Sequence, residues 1–272
     1  MTKFRTLLPG LLLALCCAPA ALLAQAGTPD VGEATIEAPA AAAAAAESTA
    51  DLPALDEVIA AYLENTGGED AWLALKTMRS TAKMSMGPME FSGTVTGAVP
   101  NKQRIDIDVQ GQQLVQAYDG TTAWQINPFA GGTEPQPMSA EEAEMFTKQE
   151  FQSPFIDLAG KGHSAAVTGT KEVEGVETIE VTLTKKSGDV EKYYFEPEYM
   201  VPIMQSQEVT SGPMKGQVAE TYLSDYQEVG GLMMPHFVET KMGGQTLQKI
   251  TLSEIETNPE IDPAVFAMPA GK

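Results

Sequence analysis

The chain is predicted to fold as a mainly β protein of the α+β class. The expected architecture is a curled antiparallel sheet of about ten or eleven strands, an incomplete barrel closed by helices. Three observations predict it. From Thr77 onward apolar residues recur with period two, the spacing of a strand with one buried face. The links between these runs are hairpin-length turns with no helices in between, which favours a meander over βαβ units. One amphipathic helical stretch precedes the strands and a shorter one interrupts them, and a sheet this wide curls.

Residues 1–26 read as a secretory signal peptide. Lys3 and Arg5 form a basic start, "LLPGLLLALCCAPAALL" is the apolar stretch, and Ala24-Gln25-Ala26 gives a cleavage site before Gly27. Cys16 and Cys17 raise a lipid-anchored alternative, but Leu15 and Cys16 stand before them where small residues are expected. An uncleaved anchor is a third reading, although the run holds Pro9 and Pro19 and is short for a span. Both cysteines of the chain lie in this leader, so cleavage after Ala26 removes disulfides, thiolate catalysis and cysteine metal sites together. Residues 27–50, with "APAAAAAAAESTA", carry no apolar stripe to bury and read as an Ala/Pro-rich disordered linker. The folded domain is expected over 51–272.

In that domain "DLPALDEVIAAYLENTGG" opens with Asp and Pro and closes on Gly67-Gly68. Leu55, Val58, Ile59, Tyr62 and Leu63 make one stripe at i, i+3, i+4, i+7, i+8. "EDAWLAL" gives a second short helix. In the first strand Met78, Ser80, Ala82, Met84 and Met86 share a face. "EFSGTVTGAV", "QRIDIDV" and "QQLVQAY" follow, with Ile105, Ile107 and Val109 opposing Arg104, Asp106 and Asp108. Next come a strand at Ala123–Ile126, an irregular Pro/Gly loop over 127–137, and "MSAEEAEMFTKQEF". There Ser139 and Glu142 have the spacing of a capping box. Inserted between strands, this loop and helix are positioned to cap the mouth of a curled sheet. "VETIEVTLT", "VEKYYFE", "PIMQSQEV", "VAETYLSDYQEV", "HFVETKM" and "TLQKITLSEIE" complete the sheet, with Gly pairs at the turns.

Composition excludes several functions. A formal charge of −20 with no basic block leaves no footprint for nucleic acid, and it disfavours charge-driven binding to anionic membranes. The two histidines, His163 and His236, have no second ligand at metal spacing. "GHSAA" imitates a nucleophile elbow, but it ends in Ala166 and leads into the β-like "AVTGT" rather than a helix. Glu141, Glu142 and Glu144 sit near a helix N-terminus, where acid is favourable without any catalytic role. No phosphate loop or dinucleotide fingerprint is present. The chain is therefore read as a non-enzyme without cofactor or metal.

What stands out is soft apolar surface. Fourteen methionines are present, and Met84, Met86, Met89, Met138 and Met145 fall near the start of the sheet or in the capping segment. Methionine suits adaptable binding surfaces, though it also fills ordinary cores. Trp124 admits the same two readings. Asp119-Gly120 reads as a hairpin turn, Trp124 and Ile126 are expected to point to the interior, and Pro128-Phe129 begins the lid.

"YLENTGGEDAWLALKTM", "VPNKQRIDIDVQGQQLVQAYDGTTAWQINPFAGG", "GGLMMPHFVET" and "IDPAVFAMP" together resemble periplasmic outer-membrane lipoprotein-sorting proteins, relatives of LolA and LolB. The resemblance covers roughly residues 52–269. It implies a half-barrel whose apolar interior holds acyl chains. The ligand-binding set is then Met84, Met86, Phe91, Ile105, Ile107, Leu114, Tyr118, Trp124, Ile126, Phe129, Met145 and Phe146. In the carriers a strand arginine near the mouth helps hold the helical lid, and Arg104, after "VPNKQ", is the matching candidate for that lid contact. The implied function is a soluble, monomeric periplasmic carrier that takes lipoprotein acyl chains or lipid from an inner-membrane donor towards an outer-membrane acceptor. The alternative is a non-carrier envelope interaction or sensor module that binds a protein partner on the same concave face. The chain differs from LolB-type receptors in lacking a lipobox, and from LolA in its long Ala-rich tether.

Overall fold

The structure, a computed structural model, describes residues 52–270 except 131, 152 and 211–213, without the side chains of Glu141 and Met145. The leader and linker expected over 1–50 lie outside the described residues. Among the described residues thirteen strands form one sheet: β1 (Thr77–Met86), β2 (Met89–Ala98), β3 (Lys102–Val109), β4 (Gln112–Tyr118), β5 (Ala123–Ile126), β6 (Gln136–Pro137), β7 (Ser164–Val173), β8 (Val176–Thr184), β9 (Val190–Phe195), β10 (Pro202–Glu208), β11 (Val218–Val229), β12 (Leu232–Met242) and β13 (Gln245–Thr257). Their order is β6-β5-β4-β3-β2-β1-β13-β12-β11-β10-β9-β8-β7, so the first and last strands pair in the middle and the edges are left unjoined. Every neighbouring pair is antiparallel. The strands beyond the expected eleven are the two edges. β6 has two residues, and β7, "SAAVTGTKEV", is rich in small and polar side chains and shifts register between Val167 and Gly169.

The sheet is strongly curled. Lys148 is bonded to Asp189 in the β8–β9 turn, and three residues later the Phe151 amide donates to the carbonyl of Pro100 in the β2–β3 turn. Three residues span about 10 Å of backbone. In a flat sheet β2 and β9, six places apart in the order, would be separated by about 29 Å at roughly 4.8 Å per strand. Only a sheet bent round on itself brings the two turns to one short segment.

Among the described residues four α-helices accompany the sheet: α1 (Leu55–Asn65), α2 (Glu69–Ala74), α3 (Ala140–Thr147) and α4 (Leu158–Lys161). The α1 stripe does what its spacing requires. Val58 is buried, and Leu55, Ile59 and Tyr62 pack on Ile179, Val181, Leu183, Tyr193 and Phe195 of β8 and β9. Leu63 turns to a second cluster of Trp72, Leu75, Met78, Leu232 and Met234. Each such large side chain taken from water stabilises by about 1.5–3 kcal/mol.

The end of α1 explains its Gly-Gly. The Thr66 hydroxyl donates to the Tyr62 carbonyl at 2.7 Å and accepts from Trp72 Nε1 at 2.9 Å. Gly67 has φ +114°, and a Cβ there would stand 2.2 Å from the carbonyl oxygen of Gly231 in the β11–β12 turn. The Met233 amide donates to the Thr66 carbonyl across the same contact. Two motifs far apart in sequence, "NTGG" and "GGLMMP", thus form one joint that seats the helices on the sheet.

Candidate functional site

Register decides which side chains share the inner face. Across β5 to β13 one row reads Gln125, Gln116, Ile105, Val95, Ser80 and Ile255. A parallel row reads Ala123, Tyr118, Gln103, Gly97 and Met78. Towards the far ends of the strands, Met84 pairs with Phe91 on one side and Ile250 on the other, and Ile250 pairs with Val238. Gly93, also on this face, leaves space for Met84. A Cβ there would lie 3.0 Å from Met84 Cε and 2.6 Å from the Asp106 carbonyl oxygen.

Onto this face α3 inserts one large side chain. Phe146 is buried in one cluster with Ala82, Met84, Val95, Ile105, Tyr118, Ala123, Leu223, Val238, Ile250 and Leu252. Met138, Ala143 and Ile107 pack against it. The α3 start is the expected capping box: Ser139 N donates to the Glu142 carboxylate at 2.8 Å, and Glu142 N to Ser139 Oγ at 3.3 Å. The Ser139 hydroxyl, donating to the Glu142 carboxylate at 2.7 Å, and then the Ser139 amide hold the Glu142 carboxyl below its ordinary value. Gln125 Nε2 donates to Glu142 Oε1 at 3.0 Å, and the Met138 amide donates to the Ala123 carbonyl. At the other end Lys148 Nζ lies 2.7 Å from Glu144 and 3.2 Å from Asp189.

Behind α3 a polar knot fastens the return to β7. Glu150 accepts from Lys161 Nζ at 2.9 Å and from His163 Nε2 at 2.6 Å. The Lys186 amide donates to His163 Nδ1 at 3.1 Å, so it is Nε2 that carries the imidazole proton. Burial pushes the Glu150 carboxyl up, but Lys161 and His163 outweigh it and hold its pKa below the ordinary value. Burial lowers the Lys161 pKa despite Glu150.

Of the sequence-predicted ligand residues, Met84, Ile105, Tyr118 and Phe146 meet in the cluster under α3, with Ile107 at its border. Met86 and Phe91 join Val109 in a smaller cluster near the hairpin tips. Leu114 is buried opposite Ile107 on the same face. Phe129 lies in a 3-10 turn (Pro128–Ala130) and is 45% exposed. Met145 belongs to α3, but its side chain lies outside the described atoms.

Two expectations are corrected. Trp124 and Ile126 do not point to the interior. Trp124 pairs with Ala117, and Ile126 with Val115, on the outer face. There Trp124 Nε1 donates to the Phe266 carbonyl at 2.8 Å. Phe266 belongs to a C-terminal 3-10 turn (Pro263–Phe266) and is itself buried. Arg104 is on that outer face too, 5.8 Å from the Trp124 ring centre, and donates from Nη1 to the Val265 carbonyl at 3.0 Å. Its Nε and Nη2 donate to Asp106, which raises the guanidinium pKa. Arg104 therefore holds the C-terminal turn rather than α3. An apolar residue on an exposed-looking strand face was read as inward because the covering segment, some 140 positions on, leaves no local signal.

The inner face also carries buried polar side chains: Ser80, which the alternation in β1 had already set there, and Gln103 and Gln116, which sequence reasoning passed over. The period-two pattern of "QRIDIDV" places Gln103 beside Ile105, so that one was legible. Among the described residues no group of three or more His, Cys, Asp or Glu side chains is arranged to hold a metal ion, and no helix is long and apolar enough to cross a membrane.

No family model matches the chain, and no curated protein matches it. Solved structures do. Over 78% of this chain and 96% of its own, a DUF1329 family protein from Desulfovibrio piger superposes with a TM-score of 0.54 at 10% identity. A LolA superfamily protein from Nitrosomonas europaea gives 0.53 at 8% identity over 78% and 96%. A domain described as an outer-membrane lipoprotein-sorting protein from Vibrio parahaemolyticus gives 0.53 at 8% identity over 77% and 94%. The chain has a LolA-like fold. In this LolA-like sheet α1 lies over β8 and β9, while α3 sits beside β5 and sends Phe146 into a cluster that reaches β11, β12 and β13; the likeness is one of fold, since so few residues are identical.

Proposed function

We propose that the protein is a periplasmic carrier that shields acyl chains of lipoproteins or lipids against the inner face of its sheet, in transit towards the outer membrane. One observation carries this reading: Phe146 of a short, polar-tethered helix occupies the apolar inner face. A helix that fills the space with one aromatic ring can exchange that contact for an acyl chain. Each CH₂ so buried contributes about 0.8 kcal/mol, so a chain is held without specific polar contacts. The LolA-like fold and the leader-like residues 1–26 agree with this reading. A donor at the inner membrane and an acceptor at the outer membrane belong to the same proposal, as does a monomeric, non-enzymatic protein.

Native mass spectrometry of gently purified protein tests it. Co-purified lipid or acylated peptide at one per chain is the expected result. An empty protein that takes up neither phospholipid nor acylated peptide in solution, and instead binds an envelope protein in fixed ratio, would make it an interaction module.

A further inference from the structure

Gln103, one of the buried polar side chains of the inner face, is a feature that a purely apolar sleeve does not need. Gln103 on β3 is 3% exposed, and among the described residues its Nε2 has no hydrogen-bond partner. By alternation with Ile105 the side chain is on the inner face, paired in register with Gly97 on one side and Tyr118 on the other. Gly97 contributes no side chain, so the amide borders a gap in the row. Beyond that gap Met78 belongs to the apolar cluster of Phe151 and Ile156, while Ile105 and Tyr118 belong to the cluster under Phe146. The amide thus lies where two apolar clusters meet. A buried donor without an acceptor is destabilising, and a methionine or leucine would fill the same volume without that cost.

We infer that Gln103 is the polar anchor of the carrier site, donating from Nε2 to the carbonyl oxygen of a bound acyl group. This rests on the carrier reading and narrows it: the ligand is an acyl compound with its carbonyl drawn in to the level of Gln103, not an arbitrary hydrocarbon. The carbonyl belongs either to an acyl ester, as in a glycerolipid or a lipidated protein, or to a free fatty acid. Both offer the same acceptor. When the ligand is bound, Phe146 leaves the inner face and Gln103 gains the partner it otherwise lacks.

Displacement of a fluorescent alkyl probe tests the assignment with three competitors: 1-monopalmitoylglycerol, its ether analogue 1-O-hexadecylglycerol, and palmitate. The first two share chain and headgroup and differ in the carbonyl. The protein should prefer ester over ether by roughly tenfold, the value of one good hydrogen bond. Gln103→Met should bind the two alike while melting no lower than the parent. Palmitate binding tighter than the ester would identify the free acid as ligand, and the reverse order an ester-linked chain. Equal binding of ester and ether by the parent protein overturns the anchor while leaving the carrier intact. A preference that survives in Gln103→Met places the carbonyl elsewhere and also overturns it. If none of the three displaces the probe and native mass spectrometry finds no lipid, the carrier reading falls and the anchor with it.

Discussion

Two helices cover the same face of this sheet, and they do it by different means. Over β8 and β9, α1 buries Val58 and packs Leu55, Ile59 and Tyr62 on the strands. Tyr62, Phe155, Tyr193 and Phe195 lock together edge to face, with ring centres 4.8–6.1 Å apart. Burial, and then Glu191 beside it, push the Tyr193 phenol well above its ordinary value, the mark of a dry interior. Over the other arm α3 has eight residues and one buried aromatic, and its ends are held by Gln125–Glu142 and Lys148–Asp189. Apolar interlocking resists local opening, whereas a few half-exposed polar ties do not. The first covering is wall and the second is door.

The largest expected contrast is between the two buried phenylalanines. Phe195→Ala should cost about 3–5 kcal/mol, as core phenylalanine truncations do. Phe146→Ala should cost about 1–2 kcal/mol, because α3 can detach on its own and its opening free energy limits the loss. Denaturant unfolding of the two variants measures this. Equal losses would make α3 part of the core, and the distinction between wall and door would go.

Next in size is the knot behind the door. Glu150→Gln leaves Lys161, only 11% exposed in its side chain, without its carboxylate. Breaking a buried pair costs about 3–5 kcal/mol, and with Glu150 itself a quarter exposed the expected loss is about 2 kcal/mol. The sign of the pH effect follows from the lowered Glu150 pKa. A carboxylate whose folded pKa is depressed contributes stability above its ordinary value of 4.5, and that contribution disappears as pH falls through the lowered folded value. Thermal melts between pH 6 and pH 3 should therefore show a steeper loss below pH 4.5 in the parent protein than in Glu150→Gln. Parallel curves would mean that Glu150 is no better stabilised in the folded chain than in the unfolded one.

This contrast was partly legible in sequence. The α1 stripe, its Gly-Gly stop and the Ser139–Glu142 box are local signals, read within four residues of chain, and the structure repeats them. Alternation in β1 and β3 gave the inner face, including Met84, Ile105 and Ile107. The failures are long-range. Trp124 looks the same in sequence whether its cover is α3 or the turn at Phe266. The Glu150–Lys161–His163 knot joins groups that no periodicity relates. Arg104 was assigned by resemblance, although its own alternation with Ile105 already set it on the other face. Edge strand β7 shows in sequence only as the β-like "AVTGT", because its small and polar residues alternate too weakly to mark the rest.

The smallest effect on global stability, and the sharpest test of the door, comes from Lys148. Its ammonium bridges Glu144 within the helix and Asp189 on the opposite arm, and the Glu144 bond is the larger reason its pKa is raised. The side chain is about a third exposed, so Lys148→Ala should cost no more than about 1 kcal/mol overall. Locally the consequence is different, because Lys148–Asp189 is a tie between α3 and the far arm. Hydrogen exchange over 140–147 should quicken severalfold in the variant, while α1 stays as protected as before. Added acyl lipid should slow exchange in the sheet beneath without restoring the tie. If α1 and α3 quicken together, the two coverings open as one unit, and the inner face must be reached by unfolding the arm rather than by lifting a helix.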